Sequence, residues 1–479
     1  MAASFFFYDL ETTGVRLREC RIMQFAGQRT DMNLKPVGEP FNVLVKLTPD
    51  ILPDPEAVLL TGITPQQTLE GGITEVEFLK IFEEQVAVPD TIFVGYNTVR
   101  FDDEFIRCAH HRNFYDPYEW HWKDGRSRWD LLDLARMTRA LRPEGINWPF
   151  TEDGVPTNRL ELITSLNGLD HEHAHDALSD VLASIAAAKL IRNHQPKLFE
   201  WLLNLRGKKD IKNFLQQNQT FVYTSGKYAN EYLKTAVVQL LTLGDDQHGA
   251  LVYDLRHDPK QFAELTPKEL AVRWQYSKDP KAPARLPVKT LKYNRCPAIC
   301  PTGLIKEKGV QERLGITLDL IEKNRAALNA LPQLKQNIIE ARRLMDEERE
   351  KAAAGETQEA EENVHGGLLD DHDRNLLKTV RASDPAGLSD FAAKFHDQRL
   401  QQMLPRYKAR NFPESLTAEE RQAWDEYRTQ KLFGGGDDGK LAQYFRQLAA
   451  CAENPKYADK QFLLEELQLY GQSLMPTYD

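Results

Sequence analysis

Cysteine is scarce in this chain, with five in 479 residues. Cys20, Cys108, Cys296, Cys300 and Cys451 are odd in number and widely scattered, which argues against a disulfide framework and fits reduced thiols. Cys296 and Cys300 lie close in sequence, but no second Cys or His pair stands near them, so a structural zinc site is not expected. No apolar run approaches the roughly 20 residues of a membrane helix. The opening Met1-Ala2-Ala3-Ser4 carries no basic segment of the kind that begins a secretory signal. A cytoplasmic protein without membrane association is therefore expected. A basic surplus is also missing, since the formal net charge is -10. That excludes a surface coated in positive charge. It does not exclude nucleic-acid binding, because the field that matters is local. No repeat with a period of about 20–50 residues is visible.

What is present is an ordinary globular composition, 41% hydrophobic and 28% charged. The length suits about two to four domains. Positive charge is concentrated mid-chain: residues 196–295 hold 17 Lys and Arg against 10 Asp and Glu. Taken alone, this is better explained by a solvated, lysine-rich face than by a binding surface.

Apolar runs predict strands over 5–10, 23–28, 41–47 and 91–97, the first three joined by short polar links as an antiparallel meander. Helical spacing appears over 75–86, from residue 102 or 103, over 129–141, over 160–166 and in a long helix opening near Asp176. A short helix should end near Thr61-Gly62-Ile63-Thr64-Pro65, which then opens a loop. This is the pattern of an α/β domain with a mixed sheet over 1–195. A helix over 198–212 and strands near 221–223, 235–242, 250–255 and 286–293 suggest a second, β-containing domain with attached helices over 196–350. An acidic, aperiodic stretch over 352–363 reads as a linker, and a helical domain over 351–479 completes the chain.

The chemistry is concentrated in the first strand. Phe5, Phe7, Asp9 and Glu11 share one face of it. Two carboxylates at a strand end need a cation, a shared proton or water to coexist. Asp102 follows another strand, with Asp103 as its rival. His175 and Asp180 open the last helix of the domain, with His171 and Asp176 at the same spacing. Strand ends and helix N-termini meet at one crevice in α/β folds. Several carboxylates gathered there would require about two divalent cations, the usual clamp for phosphodiester cleavage. Five residues turn a helix by about 140°, so His175 must project from the loop before the helix while Asp180 points inward. That suits a general base. Asp176 reads more simply as a cap. Arg159, before the helix over 160–166, is suited to a phosphate. Phe101 is a candidate for stacking on a terminal base, with Tyr8 and Tyr96 better read as core.

Three motifs, Asp9-Leu10-Glu11-Thr12-Thr13-Gly14, then Gly95-Tyr96-Asn97 with Phe101-Asp102, then His175 with Asp180, resemble those of the DEDDh branch of the DnaQ-like exonucleases. The likeness extends to Arg29-Thr30-Asp31, to Leu59-Leu60-Thr61-Gly62-Ile63-Thr64-Pro65, to the stretch from Leu141 through Pro149, to Asn294-Arg295-Cys296-Pro297 and to Arg406-Tyr407-Lys408-Ala409-Arg410-Asn411-Phe412-Pro413. Together these, and the three-part layout, resemble the bacterial exonuclease I family over essentially the whole chain. The resemblance implies a ribonuclease H-like exonuclease domain, an SH3-like domain and an all-helical C-terminal domain. It implies processive 3′-to-5′ hydrolysis of single-stranded DNA to 5′-mononucleotides, in repair and recombination, by a monomer. Two Mg²⁺ ions, replaceable by Mn²⁺, would be held by Asp9, Glu11, Asp102 and Asp180, with Asp9 shared between them and His175 as base. Glu11, Thr12, Phe101 and Arg159 would contact the substrate. The family also binds the C-terminal tail of single-stranded DNA-binding protein, for which Arg142, Arg313 and Lys335 are the candidate basic partners. Two other functions fit parts of the pattern: an RNA-trimming enzyme of the same branch, and a single-strand binder that has lost catalysis. The extra domains speak against the first and the filled carboxylate set against the second.

Overall fold

The fold is known from a computed structural model, which describes residues 3–169, 176–245, 248–279, 281–354 and 359–475. It divides into two compact units, Met1–Arg128 with His171–Leu182 and Gln358–Asp479, and Trp129–Asp170 with Ala183–Thr357.

The first unit is built on β1 (Ser4–Thr12), β2 (Ile22–Thr30), β3 (Phe41–Leu44) and β4 (Thr91–Gly95). With β5 (Ser127–Asp130) the sheet order is β3-β2-β1-β4-β5. The expected meander is present: β1 to β2 and β2 to β3 are antiparallel, while β4 runs parallel to β1. β3 stops three residues short of the expected end, and Val45 bridges to Ile73 instead. Central β1 is buried on both faces, which explains its unbroken aromatic run. Phe6, Tyr8 and Leu10 enter a core with Phe25, Phe78, Phe82, Phe93 and Trp120. Phe93 meets the edge of Trp120 at 5.0 Å between ring centroids and lies near-parallel to Phe82 at 5.9 Å. Each such buried side chain contributes about 1.5–3 kcal/mol. Gly27 opposite Tyr8 is required by a close approach, because a Cβ there would stand 2.4 Å from the Phe6 ring.

Three short helices follow β3, α1 (Pro55–Thr61), α2 (Pro65–Gly71) and α3 (Glu75–Ile81). The loop expected after Pro65 is helix α2. Pro65 fits its first turn, and Thr64 and Gln67 form a capping box that satisfies two otherwise orphaned N–H groups. The helix expected over 75–86 becomes a wider π-type turn at Phe82–Val86. α4 (Asp102–Arg112) follows β4. The helix expected from Trp129 begins only at α5 (Leu131–Leu141). Trp129 and Asp130 end β5, and Asp130 caps α5 by accepting from the Leu132 N–H at 2.9 Å. After α6 (Leu160–Leu166), α7 (Ala177–His194) is capped by Asp176, whose carboxylate accepts from the Ser179 N–H at 3.0 Å.

In the second unit, the helix expected over 198–212 is two, α8 (Pro196–Asn204) and α9 (Lys208–Gln217), interrupted near Gly207. β6 (Thr220–Thr224), β7 (Thr235–Thr242), β8 (Ala250–Asp254), β9 (Val288–Leu291) and β10 (Ala298–Pro301) form an antiparallel sheet in the order β10-β6-β7-β8-β9. Ile211, Phe214 and Leu215 of α9 share a core with its strands. α10 (Pro267–Trp274), α11 (Val310–Leu314), α12 (Leu318–Asn329) and α13 (Pro332–Ala354) complete the unit, α13 occupying the start of the expected linker.

The first unit regains the chain at its C-terminal end, in α14 (Asp371–Ala382), α15 (Gln398–Asn411), α16 (Ala418–Phe433), α17 (Lys440–Glu453) and α18 (Gln461–Ser473). Leu441, Tyr444 and Leu448 of α17 and Leu464 and Leu467 of α18 bury Met23, Val58 and Leu59. A buried ionic cluster joins distant stretches. Arg410 bridges Asp50 (2.7 Å) and Glu361 (2.6 Å), Arg21 reaches Glu361 (3.1 Å) and Lys431 reaches Asp50 (2.6 Å). Burial pushes both carboxyls up, but Arg410 and the neighbouring cations outweigh it and hold them well below the usual range. Among the described residues no helix is long and apolar enough to cross a membrane.

Candidate active site

The C-terminal end of β1 and the first turns of α4 and α7 converge in the first unit. Alternation along β1 puts Asp9 and Glu11 on one face. Asp180, in the first turn of α7, meets them: one ligand oxygen from each of Asp9, Glu11 and Asp180 lies within 4.8 Å of the other two. Asp102, the first residue of α4, is buried, and its Oδ1 accepts from the Leu10 N–H of β1 at 3.1 Å. Beyond Glu11 the chain turns sharply. Thr12 Oγ1 donates to the Gly14 carbonyl at 2.9 Å, and Gly14 has φ +150°, where a Cβ would stand 3.0 Å from Cys20 Sγ and 3.1 Å from Asp54 Cβ.

The electrostatics of this cluster are those of carboxylates that lack counter-charge. Burial, then Asp102, Asp180 and Asp176, push Asp9 well above its ordinary value. Burial, then Asp9, Asp180 and Asp176, push Glu11 up to about 9. Asp102 is raised chiefly by burial and further by Asp103 and Glu11, against the pull of its own and the Leu10 N–H. An all-oxygen set of crowded, partly exposed carboxylates fits a hard divalent cation, which would relieve each of these penalties.

The neighbouring Asp103 is turned elsewhere. It accepts short hydrogen bonds from the Tyr8 hydroxyl and from Arg128, all three groups being buried. Tyr8 is thus core, and Phe101 is half-buried with its ring edge on Phe105 at 5.0 Å. His175 and His171 lie outside the described residues. Asp176 caps α7, as its position in the sequence suggests.

The remaining predicted residues lie in the second unit. Arg159 pairs with Glu161 at 2.6 Å and is largely exposed. Arg142 forms a short ion pair with Glu307 just past α5. Arg313 donates to the last carbonyls of the same helix, Ala140 at 2.9 Å and Leu141 at 3.4 Å. Lys335 is exposed on α13. Sequence reading missed Arg128 and Gln24. Pairing Glu11 opposite Gln24 across the first hairpin would have drawn attention to the second.

This arrangement defines a carboxylate nuclease, and residues 6–188 match the family model described as Exonuclease. Residues 206–341 match the Exonuclease I SH3-like domain and residues 358–474 the Exonuclease I C-terminal domain. The chain is 36% identical to exodeoxyribonuclease I of Haemophilus influenzae, over 98% of this chain and 99% of that protein. It belongs to the exonuclease I family. Exonuclease I from Methylocaldum szegediense, described as moderately thermophilic, superimposes with a TM-score of 0.91 at 40% identity, covering 99% of this chain and all of that one. Escherichia coli exonuclease I in complex with a dA16 oligonucleotide gives 0.90 at 35% identity, with 99% and 100% covered. Similar structures also include an exonuclease I complex with SSB-Ct and a zinc-bound form of the Escherichia coli enzyme with single-stranded DNA.

Proposed function

We propose that this chain hydrolyses single-stranded DNA processively from its 3′ end, releasing 5′-mononucleotides in the cytoplasm during repair and recombination. The convergence of Asp9, Glu11 and Asp180 oxygens within 4.8 Å carries the reading. Relatives solved with single-stranded oligonucleotides support the choice of substrate. Asp9, Glu11, Asp102 and Asp180 would hold two Mg²⁺ ions, or Mn²⁺ in their place, with Asp9 serving both. When bound, the cations lower the pKa of water and neutralise charge at the leaving 3′-oxygen. His175 accepts the proton of the attacking water. Phe101 stacks on the terminal base, Arg159 pairs with a phosphate, and Glu11 and Thr12 contact the 3′-terminal nucleotide. The working parts are residues 1–195 for chemistry, with 196–350 and 351–479 retaining the strand. Arg142, Arg313 and Lys335 supply positive charge for the acidic tail of single-stranded DNA-binding protein, and the enzyme acts as a monomer.

The test is turnover of 5′-labelled single-stranded DNA and RNA of one sequence in Mg²⁺, beside Asp9→Ala. DNA shortened from its 3′ end, RNA spared, and an inactive variant that still binds DNA without metal are expected. Faster loss of RNA overturns the substrate, and an active Asp9→Ala overturns the site.

A further inference from the structure

Gln24 of β2 stands directly opposite Glu11 of β1 in the hairpin register. It is buried, 6% exposed, although its side chain is polar. A buried amide has to find partners for both its ends. Its Nε2 donates to Asn42 Oδ1 of β3 at 2.9 Å and to Asp176 Oδ1 at 3.3 Å. Its Oε1 accepts from the Ala177 N–H at 3.4 Å. Ala177 is the first residue of α7, so this N–H has no partner within the helix. One amide therefore grips both the cap of α7 and its first free donor. The grip continues along the helix: the second Asp176 oxygen takes the Ser179 N–H, and the Asp176 carbonyl takes the Asp180 N–H at 3.0 Å. Asp180 is the residue α7 contributes to the carboxylate cluster.

We propose that Gln24 is a positioning residue, which anchors the N-terminus of α7 to β2 and so sets where Asp180 stands against Asp9 and Glu11. By holding the Asp176 carboxylate as a helix cap, it also keeps a fifth acid out of the cation site. The inference rests on the metal-site reading above. Glutamine suits the task because it offers an acceptor to the helix and donors to a carboxylate at once, while carrying no charge beside Glu11. Glu in its place would keep the acceptor, lose the donors and oppose Asp176 with a like charge.

The experiment is calorimetric titration of the DNA-free full-length protein with Mn²⁺, comparing wild type, Gln24→Ala, Gln24→Glu and Asp180→Ala. Groups that orient metal ligands typically cost 10–100-fold in affinity when removed. A weakening of about that size is expected in both Gln24 variants. The metal-free melting temperature should fall by no more than about 4 °C, the scale of one lost hydrogen-bonded group. Weakened binding in Asp180→Ala with near-wild-type binding in both Gln24 variants overturns the role of Gln24 alone. Unchanged binding in Asp180→Ala overturns the metal site and this inference together.

Discussion

Asp103 and Arg128 form a buried ion pair one residue along from Asp102, and Tyr8 closes the other side of the Asp103 carboxylate. Two adjacent acids of one helix turn thus face opposite duties. Removing one partner of a buried pair leaves an uncompensated charge, at a cost of about 3–5 kcal/mol. Arg128→Met should lose stability on that scale in urea unfolding, and Asp103→Ala should lose nearly as much. Asp102→Ala should lose little stability and nearly all cleavage. A fully stable, inactive Asp103→Ala would mean that the two roles are exchanged.

The carboxylate cluster destabilises the metal-free fold, because burial and mutual repulsion both disfavour it. Asp9→Asn should therefore melt at a higher temperature than wild type in chelator. Added Mg²⁺ should raise the melting temperature of wild type and do so much less for the variant. Equal gains would place the cation elsewhere.

Cation binding should release protons. With its pKa pushed up to about 9, Glu11 holds a proton near neutral pH in the metal-free protein, and a ligand carboxylate must shed it. Affinity for Mg²⁺ should then rise with pH until about 9 and level off above it. Titration calorimetry in two buffers of different ionisation enthalpy measures the protons directly. Buffer-independent heats at pH 7 would contradict the raised value.

His111 gives a second pH dependence, unrelated to the site. It is buried, its Nε2 donates to the Ala360 carbonyl at 3.1 Å, and burial pushes its pKa down to about 4. The unfolded chain takes up this proton below about pH 6.5, whereas the folded chain resists until about 4. Stability is thus lost as pH falls through that window, by about 3 kcal/mol in all. Unfolding free energies of His111→Gln should decline less steeply there than those of wild type. Parallel declines would show that other groups dominate.

Local signals were legible in the sequence where local physics decides. The period of two along β1 placed Asp9 and Glu11 on one face, and the apolar stripe of α7 chose Asp180. β5 escaped because no turn separates it from α5: Asp130 ends one and caps the other, so Trp129 reads as the first helical position. α2 escaped because Thr64-Pro65 signals a loop as readily as a capped helix start. Gln24 and Arg128 escaped for a different reason. Their partners stand 152 and 25 positions away, and only for Gln24 does a nearby feature, its hairpin register opposite Glu11, hint at a role.

The Arg410 cluster ties the closing of the first unit to the order of its synthesis. Asp50 and its cation partner Arg410 are 360 positions apart, and the first unit cannot bury that carboxylate while it is unpaired. At about 5–20 residues per second, a ribosome needs roughly 20–70 s to travel between them. Closing the first unit around Asp50 therefore waits on a residue made 360 positions later.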